Sequence, residues 1–258
     1  QTMQEFNEDF SWNKGFRNYF AVKALPTPSV IRFLGDHNSG ADCSSLPELM
    51  IADMAGIKGE SIMFTSNNTP DNEFAAAARL GAIINLDDIT HFDRLRGVLE
   101  GKLPEILSFR YNPGELRKGN DIIGDPVEAK YGLTRDQIFE AYKTARDSGV
   151  IRFGLHTMIV SNMLDEQYLI ETGRMIFELG AKLSKDLRIN FDFFNLGGGV
   201  GIPYKPEQIP VDLRKVSEGI RKAYHEAGFG EDGPAVVMEC GRAITGPHGF
   251  LVTRVQHV

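Results

Sequence analysis

Short apolar runs alternate along this chain with longer stretches in which apolar residues recur every three or four positions. The runs fall at Tyr19–Lys23, Gly40–Cys43, Ile62–Thr65, Ala82–Leu86, Ile106–Tyr111, Arg152–Ile159, Phe191–Leu196 and Ala235–Glu239, and each predicts a buried strand. Most of the stretches between them carry helix starts: Thr69-Pro70-Asp71 before EFAAAARLG, Thr134 before RDQIFEAYKTARDSG, and Asp165 before EQYLIETGRMIFELGAKLSK. Gly81, Gly149 and Gly180 sit where helix C-caps would fall. Strand and helix repeated in units of about 30 residues predict an α/β protein with a parallel sheet and helices outside. At eight strands that sheet closes into a (β/α)₈ TIM barrel. A doubly wound open sheet is the structural alternative.

The barrel is expected over residues 1–249. Both ends look cut: the chain starts at Gln1 without a methionine, and Phe250–Val258 alternates like a strand that needs neighbours it does not have. Residues 250–258 are therefore expected to begin a C-terminal β-domain.

Composition narrows the function classes. The 258 residues are 42% hydrophobic and 24% charged, with a formal charge of −7, which argues against a general nucleic-acid surface. No apolar run approaches the roughly 20 residues of a membrane span, no signal-peptide pattern opens the chain, and a cytoplasmic location is the expectation. Two cysteines, Cys43 and Cys240, are too few for a disulfide framework and read as small buried apolar residues. Six scattered histidines give a metal site no support.

The candidate chemistry centres on FDFFNLGGGVGIPY, Phe191 to Tyr204, where an apolar run stops at Gly197-Gly198-Gly199. Glycines at a strand end let bare backbone approach a ligand, and their N–H groups suit a phosphate. The spacing fits neither GxGxxG nor a P-loop. In a barrel of this type, phosphate sites favour the loops after strands seven and eight, at the carboxyl rim. The eighth strand ends at Glu239-Cys240-Gly241-Arg242 and the first at Lys23, so closure brings Lys23, Glu239 and the glycine loop to one rim. Lysine, phosphate cradle and carboxylate are the set that pyridoxal phosphate requires: aldehyde anchor, phosphate seat and pyridinium partner.

YFAVKA, GADCSS, NLGGGVGIPY and MECGR, in this order, resemble the barrel domain of the alanine-racemase-like, fold-type-III pyridoxal-phosphate decarboxylases. The resemblance covers essentially the whole chain and is nearest to the diaminopimelate decarboxylase branch. It implies that Lys23 holds the cofactor, that Asp42 is the acidic residue near it, and that Glu239 faces the pyridine nitrogen. Gly197, Gly198, Gly199, Ser161 and Arg242 would hold the phosphate. Phe109-Arg110-Tyr111-Asn112-Pro113-Gly114, with Lys130-Tyr131-Gly132 beyond it, is similar to a motif pair of that branch, and makes Arg110 and Asn112 candidate substrate-binding residues.

One departure concerns the ring. Where the family usually has His-Ile-Gly-Ser, this chain has Met158-Ile159-Val160-Ser161. Either Met158 covers the cofactor through its sulfur, or His156, one layer deeper on the same strand face, takes that place. The resemblance further implies decarboxylation of a small amino acid, meso-diaminopimelate in lysine biosynthesis, by a homodimer of the longer protein. The alternatives are a related decarboxylase for ornithine, arginine or carboxynorspermidine, and a non-catalytic pyridoxal-phosphate carrier built from a barrel alone.

Overall fold

A strand buried on both faces is apolar along its whole length, and the predicted runs fold in that way. The computed structural model describes residues 1–250 and 252–257. Its strands are β1 (Arg17–Ala21), β2 (Gly40–Cys43), β3 (Ile62–Ser66), β4 (Ile83–Leu86), β5 (Ile106–Arg110), β6 (Arg152–His156), β7 (Phe191–Asn195) and β8 (Ala235–Met238). Every neighbouring pair is parallel and the order β1 to β8 closes on itself. This is the expected TIM barrel, and the open-sheet alternative falls.

The barrel interior is layered. Tyr19, Met63, Ile83, Ile106, Phe193 and Val237 form an apolar cluster in its lower part, separate from the larger core between sheet and helices. Gly154 of β6 lies beneath Phe193, whose ring leaves no space for a Cβ there. Two residues further along, several strands turn from apolar to polar: Asp42, Thr65, Asn85, Ser108, His156, Asn195 and Glu239. Alternation carries these side chains to the same interior face, one layer nearer the carboxyl rim.

The helices follow their caps. Helix α6 (Arg135–Asp147) opens with a reciprocal capping box between Thr134 and Gln137, and α7 (Glu166–Leu187) opens on Asp165, which accepts the Gln167 and Tyr168 N–H groups. Gly81 and Gly149 have positive φ just beyond α4 (Asp71–Arg79) and α6, as C-cap glycines should. Gly180 does not: α7 runs through it and ends at Arg188. Its bareness has another cause, because a Cβ there would lie 2.3 Å from the Phe194 ring of β7.

Five strands, β1 and β5 to β8, end one to three residues earlier than the apolar runs, while β2 and β4 end with theirs and β3 one residue later. Lys23 is not the last residue of β1 but sits in a short 3₁₀ turn, Val22–Ala24, and Ile159 lies well past the end of β6. The strands stop pairing where the chain splays into the rim loops. In the tail, residues 252–257 form neither helix nor strand, while Leu251 and Val258 of the expected strand lie outside the described residues.

The seam between β1 and β8 is the shortest part of the ladder, with partners Arg17↔Val237 and Asn18↔Met238. The Asn18 side chain extends it: its Nδ2 donates to the Cys240 carbonyl at 3.1 Å and its Oδ1 accepts the Cys240 N–H at 2.8 Å.

Candidate active site at the carboxyl rim

Thr65, Asn85, His156, Asn195 and Glu239 of the polar layer are joined into one network. Glu239, just after β8, is almost fully buried, as are His156 and Asn195. His156 Nε2–H donates to Glu239 Oε2 at 3.1 Å, and Asn195 Nδ2 donates to Glu239 Oε1 at 2.7 Å. Asn85 Nδ2 in turn donates to His156 Nδ1 at 2.9 Å and to Thr65 Oγ1 at 3.2 Å. Burial alone would push the Glu239 carboxyl up, but His156, Asn195 and Lys23 outweigh it and hold the group below its ordinary value of 4.5. Glu239 is thus a buried carboxylate kept ionised.

Asp42 shows the opposite balance. Burial, and then the Glu239 charge, push it well above the ordinary carboxyl value, with Lys23 pulling the other way. Among the described residues its Oδ1 has no hydrogen-bond partner. Lys23 itself is exposed at the rim, and its charge acts on both carboxyls. Its amine is open to solvent, on the same rim as Asp42 and Glu239.

The glycine loop packs against two neighbouring loops. A Cβ on Gly197 would fall 2.4 Å from the Thr157 carbonyl, one on Gly198 2.5 Å from the Glu239 carbonyl, and one on Gly199 2.5 Å from the Val160 carbonyl. Gly197 and Gly199 also have positive φ, 71° and 92°. Part of the bareness therefore serves protein backbone rather than a ligand. The Gly197 N–H is engaged by Asn195 Oδ1 at 2.8 Å, whereas Gly198 N–H has only the Met158 thioether at 3.2 Å, a weak acceptor.

Between the two ring-cover candidates, geometry separates Met158 from His156. His156 is closed in by Asn85 and Glu239, while Met158 is half-buried at the rim against the glycine loop. Ser161 follows on the same loop, where its carbonyl accepts Asn120 Nδ2 at 2.6 Å. Arg242 lies at the start of the short helix Arg242–Thr245 after β8, donating to the Tyr204 hydroxyl at 2.7 Å.

Arg110 and Asn112, the candidate substrate-binding residues, both make hydrogen bonds within the protein. Arg110 pairs with Asp87 at 2.9 Å, donates to the Met158 carbonyl at 2.9 Å and stacks on Tyr131. Asn112 donates to the Pro126 and Tyr131 carbonyls and accepts the Gly114 N–H, so it clamps the loop between β5 and α6. A small cavity of about 20 Å³ lies between that loop and the Met158 segment, lined by Arg110, Asn112, Tyr131 and Met158 among others. The sequence reading missed Asn85, Asp87 and Asn195. A polar residue two positions beyond an apolar one, at the carboxyl end of a barrel strand, is the signal that would have found Asn85 and Asn195.

Comparison with known proteins agrees with this geometry. Over 255 residues the chain is 36% identical to Protein TabA of Pseudomonas amygdali pv. tabaci, covering 99% of this chain and 59% of that protein. It is 29% identical to the diaminopimelate decarboxylase of Thermoplasma acidophilum, covering 94% and 58%. Among solved structures, diaminopimelate decarboxylase from Helicobacter pylori complexed with L-lysine superimposes with a TM-score of 0.82 at 26% identity, covering 94% of this chain and 62% of that one. The chain thus spans about three fifths of the length of these relatives. Residues 1–246 match the family described as pyridoxal-dependent decarboxylase, pyridoxal binding domain. By fold, by rim chemistry and by this match, the chain belongs to the pyridoxal-binding domain family of the pyridoxal-dependent decarboxylases.

Proposed function

We propose that this barrel is the cofactor-binding part of an amino-acid decarboxylase that acts on meso-diaminopimelate. The observation that carries the reading is Glu239, a carboxylate held ionised at the floor of the rim with the Lys23 charge acting on it. The residues present fit pyridoxal phosphate: an amine, an ionised carboxylate and a glycine loop converge, and the Gly198 amide is held only by a thioether. When bound, pyridoxal phosphate supplies a ring that accepts the electron pair left as carbon dioxide departs.

Each side chain then has a task. Lys23 Nζ would anchor the aldehyde, and Glu239 would keep the ring nitrogen protonated because an adjacent anion stabilises positive charge. Met158, half-buried at the rim, would pack on the ring, while His156 holds Glu239. The glycine loop, Ser161 and Arg242 would hold the phosphate. Asp42, neutral when it carries its proton, lets Lys23 and Glu239 set the local charge. Arg110 and Asn112 shape the pocket through Met158 and the loop between β5 and α6 instead of gripping substrate directly.

Diaminopimelate is favoured over ornithine or arginine by the Arg110-Tyr111-Asn112-Pro113 context and by the Thermoplasma relative. The longer protein is expected to work as a cytoplasmic homodimer whose second domain follows residue 249. Pyridoxal phosphate added to the protein, borohydride reduction and peptide mapping should label Lys23, and a substrate panel on the full-length enzyme should favour diaminopimelate. Label on another lysine would overturn the anchor, and preference for ornithine would overturn the substrate.

A further inference from the structure

We propose that Asn195 is a positioning residue that fixes the Glu239 carboxylate and the glycine loop as one unit, so that both ends of the cofactor are recognised by a single rigid element. The inference rests on the cofactor reading above. Asn195 is the last residue of β7 and is 1% exposed. Its Nδ2 donates to Glu239 Oε1 at 2.7 Å and lies 3.1 Å from the Met63 sulfur, while its Oδ1 accepts the Gly197 N–H at 2.8 Å. The amide orientation is fixed by its partners, since reversal would set oxygen against carboxylate and NH₂ against N–H.

Backbone contacts bind the same two segments. Glu239 N–H donates to the Gly197 carbonyl at 2.8 Å, and a Cβ on Gly198 would strike the Glu239 carbonyl. The Asn195 side chain adds a tie that reaches the carboxylate itself. With His156 holding Oε2 from β6, donors on two strands then define the plane of the Glu239 group. A residue needed only to satisfy Gly197 would have no reason to place its NH₂ on a buried anion.

Asn195→Asp separates the two halves of this role. It keeps the shape and the acceptor for Gly197, but it replaces the donor to Glu239 with a second acceptor. In the full-length protein it should weaken pyridoxal phosphate binding about tenfold to a hundredfold, the scale of one charge-assisted hydrogen bond. A second readout needs no cofactor. Glu239 faces His156 from β6, Lys23 from the turn after β1, Asp42 from β2, Tyr19 below and Cys240 beside it. With those groups unchanged, Asn195→Asp removes a donor that holds Glu239 below 4.5 and sets a second carboxyl against it, so the folded pair keeps a proton that the unfolded chain releases; the loss of melting temperature should be small at acid pH and grow as pH rises toward neutral.

The double variant Asn195→Asp with Glu239→Gln exchanges donor and acceptor across the same gap and should return the melting temperature of Asn195→Asp toward wild type. Asn195→Ser serves if Asn195→Asp does not fold, with the same weakening expected and a stability loss that likewise grows from acid to neutral pH. A stability loss equal at acid and neutral pH, or single effects that simply add in the double variant, would overturn the proposal. Wild-type protein that fails to bind pyridoxal phosphate would instead defeat the cofactor reading, and the pH dependence of the stability loss would still decide whether Asn195 holds Glu239.

Discussion

Removing the Arg110 guanidinium tests whether this residue holds the rim together or grips substrate. Its side chain is 9% exposed and that of Asp87 is 1%, with 2.9 Å between Nη1 and Oδ1. At an effective dielectric near 20, charges at that separation attract by about 6 kcal/mol before desolvation. Arg110→Met leaves Asp87 buried, with Oδ2 already lacking a partner, and strips the Met158 carbonyl of its donor. Breaking a buried pair from one side costs about 3–5 kcal/mol, because the remaining charge is uncompensated. The exposed Lys14–Asp232 pair, at 69% and 94%, should yield about 1 kcal/mol or less when Lys14 is replaced. Denaturant unfolding can be followed through Trp12, the single tryptophan, which packs on Tyr224 at 5.5 Å. Arg110→Met combined with Asp87→Leu should recover a large part of the loss, since both charges are then gone. If Arg110→Met cost less than about 1 kcal/mol, or if the two losses added, the pair would not be the structural clamp described here.

Asp42→Asn should raise the melting temperature. The folded state holds the Asp42 proton more tightly than the unfolded chain, so stability from this group is present below its ordinary 3.8 and declines as pH rises through the folded value. The gain over wild type should therefore appear above that pH and grow, and a gain equal at acid and neutral pH would sink the assignment. Gly97 lies in a helix, His91–Val98, with nothing within 4 Å of an added Cβ, so Gly97→Ala should stabilise by about 0.8–1 kcal/mol in thermal unfolding. Gly180→Ala gains the same propensity but drives a methyl into the Phe194 ring, and overpacking of about 1–3 kcal/mol should leave it net destabilised. Equal melting shifts for the two glycines would refute the packing explanation for Gly180.

The barrel was legible because each strand is apolar on both sides and each major helix announces its start, as Thr134 and Asp165 do. What escaped was three-dimensional. A glycine inside a helix signals either an end or a close neighbour, and only the Phe194 ring explains Gly180. The motif residues Lys23, Asp42 and Glu239 were visible as types at strand ends, but the partners that set their charge were not. Asn85 and Asn195 act on Glu239 from β4 and β7, far away in sequence, the first through His156. For the same reason the sequence named Arg110 and Asn112 without the partners Asp87, Pro126 and Tyr131 that hold them.

The Asn18 bridge bears on how this chain is made as well as how it stands. During synthesis β1 leaves the ribosome long before β8, and the two bonds from Asn18 join residues 222 apart. Until then β1 has a free edge on that side, with β2 its one partner in the sheet. Closure of so long a loop is entropically costly and slow, and the two-residue seam gives it few backbone bonds to reward the search. An amide that mimics one more rung is a latch: it acts when the last strand arrives and fixes the register in which the cylinder shuts. Asn18 therefore ties barrel closure to the rim, because the residue it holds, Cys240, directly follows Glu239.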